Sequence, residues 1–395
     1  MTALPDSRLR TALARSRNIA LRRVPAGLRL SEARLALPGL SLAGVIGLKL
    51  MAYAALTGVP LGQAMCQWDC GWYLSIVQDG YDSASRFVAN CCWQANWAFF
   101  PLLPMLVRGL RAVTDSDPAL LGVLVSSACL FAFALLGIRL RRITRGERTP
   151  WLWLAFLLSW PFGFYFHALY TEALFAALAT AALIALAEAR PWLAASATAF
   201  LTATRPTGIL LAAWIGLRQA WSVRGARTPG QALRILLPAA VAPLGLLAFM
   251  LFLRMKLGDA LAFQHIQAGW GRTGGNPLRV LLEPFRGLMR GRAEFEGFYF
   301  AAWALLGAAA SFWLLAKRRF AEAWLCGLPI LLALGSGVLI SMPRLVSTNP
   351  AFLFAAADWF ALVGARKLRL IILLLMLLLQ AWLLLAWLRS PRFLM

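Results

Sequence analysis

Long apolar runs alternate with short basic connectors along almost the whole chain. They predict helices at 37–57, 119–138, 150–167, 171–189, 235–253, 298–316, 321–340, 350–364 and 370–388. A run of about 20 apolar residues is long enough to cross a ~30 Å hydrocarbon core. Two segments break this pattern. Residues 98–112 (AFFPLLPMLVRGLRA) are apolar but short, with Pro101 and Pro104 inside. Residues 192–217 are long enough for one crossing, but Thr204-Arg205-Pro206-Thr207-Gly208 falls midway. An arginine at the bilayer centre is costly, and Pro and Gly interrupt a helix there.

Composition agrees with that pattern. The chain has 395 residues, 61% of them hydrophobic, where soluble domains hold roughly 45–50%. Residues 37–395 read as one polytopic α-helical membrane domain, and residues 1–36 as an arginine-rich cytoplasmic arm. The run at 37–57 is too long for the apolar core of a cleavable signal and has no small-residue exit. The net charge of +23 sits mainly in the connectors, as orientation by cytoplasmic positive charge requires. It therefore argues against nucleic acid as a partner.

The basic clusters also set an orientation. If 98–112 lies on the outer surface and 192–217 enters and returns as two half-helices, most arginine clusters fall inside. Loop 254–297 then stays outside despite its seven Arg and Lys. The outer face collects every irregular segment: the first loop 58–118, then 167–172, 204–208, the second long loop 254–297, and 341–349. Irregular backbone at membrane depth must be buried in protein or line a cavity. One outward-facing cavity lined by these five segments is therefore expected.

The first loop carries the richest chemistry. Trp68, Trp72, Tyr73, Ile76 and Val77 recur at helical spacing, with Asp69, Ser75, Gln78 and Asp79 off that face. This predicts an amphipathic helix in the interface. Asp69 could serve there as a general base toward a substrate hydroxyl, or merely cap the helix. Glu172 opens a predicted helix, where a carboxylate complements the helix dipole. His167 reads as an exposed interface residue or a site residue. Arg205, Arg272 and Arg344 each need an anion if withdrawn from water. A lipid phosphate is a natural partner, and snorkelling is the alternative. Asp358, inside an apolar run, is a functional suspect or an acid buried against an arginine. Cys66, Cys70, Cys91 and Cys92 share the first loop and suggest disulfides between the two pairs, without zinc-ligand spacing. No nucleotide-binding or metalloprotease motif is present, so no cofactor or metal is expected.

Six segments, in order, resemble motifs of the PIG-V family of GT-C membrane glycosyltransferases, in its bacterial branch. Trp68-Asp69-Cys70-Gly71-Trp72-Tyr73, with Ile76 and Gly80-Tyr81, resembles its first-loop W-D-x-x-W-Y motif. Asn96 through Pro104 resembles N-x-A-F-F-P-L-x-P, and Tyr170-Thr171-Glu172-Ala173-Leu174-Phe175 resembles Y-T-E-S-L-F. Thr204-Arg205-Pro206-Thr207-Gly208 resembles T-R-x-N-G. Gly258 through Phe263, with Gln267, Trp270 and Arg272, resembles G-D-P-L-A-F-x-x-x-Q-x-x-W-x-R, and Ser341-Met342-Pro343-Arg344 resembles x-x-P-R-Y. The departures are Ala173, Thr207, Ala260 and Leu345.

The resemblance implies an all-α GT-C-type fold, with roughly 10–11 membrane-crossing helices of about 20 residues each. It implies a polyprenyl-phosphate sugar donor, usually mannose, and inverting transfer to a glycan, lipid or protein acceptor on the non-cytoplasmic face. Asp69 would be the catalytic base. Trp68, Trp72, Tyr73, His167, Tyr170, Glu172, Arg205, Gln267, Trp270, Arg272 and Arg344 would bind substrate. The excess of Arg over Lys and the short chain favour a bacterial inner membrane, with the site facing the periplasm. A transporter or flippase of lipid-linked glycans, or a non-catalytic subunit, would share these features.

Overall fold

The computed structural model describes residues 32–88, 92–291, 294–389 and 394, so most of the basic arm, and Cys91, lie outside the described residues. The fold is all-α, with 77% of it helical. Among the described residues the sole sheet is a two-stranded hairpin, β1 (Arg86–Val88) against β2 (Cys92–Gln94), with Phe87 opposite Trp93.

The first helices are α1 (Glu32–Thr57), α2 (Leu61–Ala64), α3 (Cys70–Asp79) and α4 (Leu102–Thr114). α5 (Pro118–Arg145) follows, capped by Asp117, whose carboxylate accepts from Leu120 N at 2.8 Å. Then come α6 (Trp151–Ser159), α7 (Glu172–Ala187), α8 (Pro191–Thr202), α9 (Ile209–Ser222), α10 (Pro229–Val241) and α11 (Leu244–Leu257). The chain ends with α12 (Ala262–His265), α13 (Pro277–Met289), α14 (Phe295–Ala316), α15 (Phe320–Gly335), α16 (Met342–Ser347), α17 (Pro350–Ala361) and α18 (Arg366–Trp387).

Four of these are long and apolar enough to cross a membrane: Leu37–Thr57 of α1, and α5, α14 and α18. There are five if α10 and α11 count as one span bent by 57°. Leucines of α18 such as Leu374, Leu375 and Leu378 are more than half exposed, as a lipid-facing helix requires. These features are compatible with an integral membrane protein.

Several runs expected to be continuous helices are not. The 150–167 run is helical only to Ser159, because Pro161 forces Trp160 out of the helical region. The 235–253 run bends at Pro243, which has no N–H to donate. Leu246 N donates instead to Thr202 Oγ1 at 3.2 Å. Gly245 lies so close to α8 that a Cβ there would meet the carbonyl of Ala199. The 321–340 run stops at Gly335, before Gly337 with φ +95°. The 171–189 and 350–364 runs appear as the shorter helices α7 and α17. Residues 192–217 form two helices, α8 and α9, separated by a short break that includes a 3-10 turn at Pro206–Gly208.

The core is centred on the packing of α5 against α7, and glycines of α5 admit the side chains of neighbouring segments. A Cβ on Gly122 would overlap Leu169, and one on Gly137 would overlap Trp153. Phe133, Trp153, Phe166 and Phe354 form an aromatic layer in this core. Trp153 Nε1 donates to Ala134 O at 3.0 Å.

Below the break after α6, the orphan carbonyls of its last turn are met by distant side chains. Lys49 Nζ donates to Leu158 O at 2.9 Å, and Gln380 Nε2 donates to Trp160 O. Tyr53 Oη donates to Gln380 Oε1 at 3.0 Å. Gly163 fits beside Gln380 because it has no Cβ, which would lie 2.5 Å from the amide nitrogen. The first and last of the long helices thus seal one helix end within the protein, where unmet carbonyls are expensive.

Opposite the first loop, Asp358 of α17 accepts from Arg141 at 3.1 Å, from Arg145 at 2.9 Å, and from Arg319. Arg145 also pairs with Glu322 at 2.6 Å, and Arg141 with Glu147 at 2.5 Å. Asp358 is therefore a part-buried acid held by arginines.

Candidate active site

The first-loop helix α3 buries Cys70, Tyr73, Ile76 and Val77, close to the expected apolar face. Its base is held by Asn96, which is fully buried. Asn96 Nδ2 donates to Ser75 Oγ at 3.1 Å and to Gly80 O at 3.0 Å, and Asp82 N donates to Asn96 Oδ1 at 2.9 Å. Asp69 occupies the residue before α3, where a capping carboxylate would sit, yet it makes no side-chain cap hydrogen bond. Instead its Oδ2 accepts from Arg344 Nη2 at 2.5 Å, across 275 residues of sequence. The capping alternative therefore does not describe Asp69.

Arg344 is shared. Its Nε lies 3.5 Å from Glu172 Oε1, and its guanidinium lies 5.0 Å above the Tyr170 ring. Burial disfavours its charge, but the Asp69 and Glu172 carboxylates outweigh this and raise its pKa above the ordinary arginine value. Glu172, only 1% exposed, also pairs with Arg205, whose Nε donates to Thr171 Oγ1 at 2.7 Å. The structure gives Arg205 a carboxylate of its own chain, Glu172. The tight turn carrying Arg205 needs Gly208, where a Cβ would lie 2.8 Å from Leu201 O. Leu102 N donates to Ala203 O at 3.0 Å and ties this turn to α4. A small pocket beside Arg205 is lined by Phe175, Thr207, Pro329, Leu345, Thr348 and Asn349.

Arg272 completes the basic side. Its Nη1 donates to Gln267 Oε1 at 2.9 Å and its Nη2 to Ser341 Oγ at 3.3 Å. Both partners are neutral, and Arg272 has no ion pair among the described residues. Burial lowers its pKa. The cluster thus sets three guanidiniums, Arg205, Arg272 and Arg344, against two carboxylates, Asp69 and Glu172. An aromatic wall stands beside it. Trp72 stacks on Phe99 at 6.1 Å, and Trp270 meets both rings edge-on at 5.9 Å. Arg86 lies 5.4 Å over Trp72.

Tyr170 Oη donates to Gln67 O at 2.7 Å, which ties the start of α7 to the turn before α3. Burial pushes the Tyr73 phenol up to about 12, so it stays a neutral donor next to Thr171. Trp68 lies in the turn itself, and its buried Nε1 has no hydrogen-bond partner among the described residues.

His167 is not brought into this cluster. It is fully buried, its Nδ1 lies 2.9 Å from Ser127 Oγ, and its ring meets Tyr53 edge-on at 5.6 Å. This corrects the reading of an exposed residue: the 3-10 turn at Gly163–Phe166 turns it into the core. The cysteines also pair differently from expectation. Cys66 bonds Cys70, within one pair rather than across the two. Asn96, Thr171 and Ser341 were not singled out from sequence as site residues. Asn96 and Thr171 fall inside matched motifs, which was the signal available.

No family model matches this chain, and no curated protein matches it.

Proposed function

We propose that this protein is an inverting membrane glycosyltransferase that moves a sugar, mannose by resemblance, from a polyprenyl phosphate to an acceptor hydroxyl. One observation carries the reading most directly. Asp69 forgoes the cap of its own helix to meet Arg344, inside a cluster with one guanidinium more than its carboxylates can neutralise. A surplus part-buried cation beside an accessible carboxylate suits an anionic leaving group and a proton acceptor. The ordered resemblance of six motifs supports the same reading.

In this mechanism the acceptor oxygen attacks the anomeric carbon as Asp69 takes its proton. The bond from that carbon to the phosphate oxygen breaks, and the polyprenyl phosphate leaves with the electron pair. Arg272 and Arg344 stabilise the charge that develops on it. Glu172 and Arg205 act as a paired support that orients Arg344. The aromatic wall of Trp72, Phe99 and Trp270 offers ring faces to a sugar. The site faces the periplasm of a bacterial inner membrane in this reading.

The test uses purified protein, polyprenyl-phosphate mannose and candidate acceptors, with products weighed by mass spectrometry. The parent should form product and Asp69→Asn should not. Equal transfer by the two would sink the mechanism. Flux of a lipid-linked glycan across proteoliposomes, with no product of altered mass, would favour a flippase. Sidedness is read separately: a cysteine replacing the exposed Gln264 should react with an impermeant maleimide from the periplasmic side.

A further inference from the structure

The turn that presents Asp69 is fastened more firmly than a surface turn needs to be. Cys66 and Cys70 are joined by a disulfide with Cα atoms 5.1 Å apart, and Gln67, Trp68 and Asp69 lie between them. Trp68, at the centre, has φ +49°, a left-handed conformation that a bulky L-residue rarely adopts. Such strain persists only where the surroundings over-determine it. Here they do. Cys70 N donates to Gln67 O at 3.0 Å, Tyr170 Oη donates to the same carbonyl at 2.7 Å, and Arg344 holds Asp69.

The size of the ring argues for a local role. Stabilisation from a cross-link grows with the logarithm of the loop it closes. A bond between residues four apart therefore constrains the unfolded chain less than a bond closing a long loop would. What it does constrain is the backbone path from Cys66 to Cys70, and so the direction in which the Asp69 side chain leaves it. Cys70, the first residue of α3, is fully buried, whereas Cys66 is part-exposed.

We propose that the Cys66–Cys70 disulfide is a positioning clamp for Asp69, and that sugar transfer therefore requires its oxidised form. The proposal rests on the glycosyltransferase reading given above. A dithiol such as dithiothreitol supplies the two electrons and two protons that open the clamp. The Cys66–Cys70 bond breaks, two thiols form, and the dithiol closes to its own cyclic disulfide. Trp68 is then free to leave the left-handed region, and Asp69 moves with it. A displacement on the order of 1 Å at a reacting group can cost about 100-fold in rate. Donor binding by Arg272 does not pass through the turn and should survive.

The experiment compares the full-length protein in detergent, oxidised and reduced, with the C66A/C70A variant, and the thiol state is confirmed by peptide mass. Reduction should lower kcat by roughly 10- to 100-fold while the donor KM stays within about two-fold. Oxidised glutathione should restore the rate. C66A/C70A should be slow with or without the dithiol, which separates this bond from the further disulfide of Cys92. Free thiols at both positions in the isolated protein, or full kcat after confirmed reduction, would overturn the clamp. If the oxidised parent transfers no sugar, the glycosyltransferase reading fails by itself. The clamp is then judged by amide hydrogen exchange across 61–79. Exchange at Gln67 to Asp69 should rise on reduction, and unchanged exchange would refute it.

Discussion

The molecule holds two clusters of arginines and carboxylates at opposite ends of its helices, and they are built on opposite principles. In the cluster around Asp358, Arg141, Arg145 and Arg319 face Glu147, Glu322 and Asp358, so the formal charges cancel. Arg141 and Arg145 are almost wholly buried, and both donate to Asp358. In the cluster around Asp69, three arginines face two carboxylates, and Asp69 keeps 26% of its side-chain surface open. A buried, balanced network ties helices together and leaves nothing for a ligand to do. An open network with a surplus cation has a place for an anion. Sequence marks both clusters the same way, with acids and arginines beside apolar runs. Only charge balance and access tell them apart.

The comparison can be broken most decisively at Asp69. Asp69→Asn should reduce transfer by roughly 10²- to 10⁴-fold, the span of a general base. The fold should stay intact because Arg344 keeps Glu172. A rate within a few-fold of the parent, measured by product mass, would remove the distinction drawn here.

The next largest effect belongs to the other cluster. Asp358→Asn leaves the almost wholly buried Arg141 and Arg145, and the part-exposed Arg319, with one carboxylate fewer and should cost about 3–5 kcal/mol of stability. Thermal unfolding in detergent would register this as an early loss of helicity. The protein that remains folded should keep the donor KM of the parent. A variant of normal stability with impaired transfer would mean that the cluster around Asp358 also takes part in the chemistry.

A smaller effect is expected at Arg272. Arg272→Ala removes the surplus cation, and a charged hydrogen bond of this kind is worth roughly 1.5–3 kcal/mol. The donor Kd, by titration with polyprenyl-phosphate mannose, should rise by about 10- to 100-fold with little change in unfolding temperature. Smallest is Tyr170→Phe, which deletes one neutral hydrogen bond to Gln67 O and should cost about 1 kcal/mol. If Tyr170→Phe were as damaging as Asp69→Asn, the phenol itself would have to be part of the reacting set.

Much of this was legible in the chain. Apolar run length located α1, α5, α14 and α18, because a helix of that length and composition has few other solutions. The first-loop period located α3, and the residues on either side of Thr204-Arg205-Pro206-Thr207-Gly208 marked a real break. The bend at Pro243 and the early end of α6 at Trp160-Pro161 were hidden inside runs whose average apolarity was high. Asp69, Glu172, Arg205 and Arg344 could be singled out by type and place. Their pairing could not, since Asp69 and Arg344 are 275 residues apart. Asp358 was ambiguous for the same reason: an acid in an apolar run looks alike whether or not Arg141 waits for it 217 residues away. His167 shows the reverse limit, because residue type does not reveal burial. Cysteine spacing showed that disulfides were plausible but could not fix their partners.

The seal beneath α6 bears on how the protein is made. Lys49 and Tyr53 leave the ribosome before α6, while Gln380 follows Trp160 by 220 residues. Chains grow from the N-terminus at about 5–20 residues per second. For much of synthesis, then, the carbonyl of Trp160 has no Gln380 to accept from, and Tyr53 has lost its acceptor too. The segment leading from α6 to His167, Tyr170 and Glu172 therefore gains its Gln380 contacts when α18 packs against it. A nascent chain halted before α18 should therefore hold Asp69 and Arg344 apart and be a ready target for membrane proteases. Arrival of α18 becomes the checkpoint at which the cluster around Asp69 is assembled.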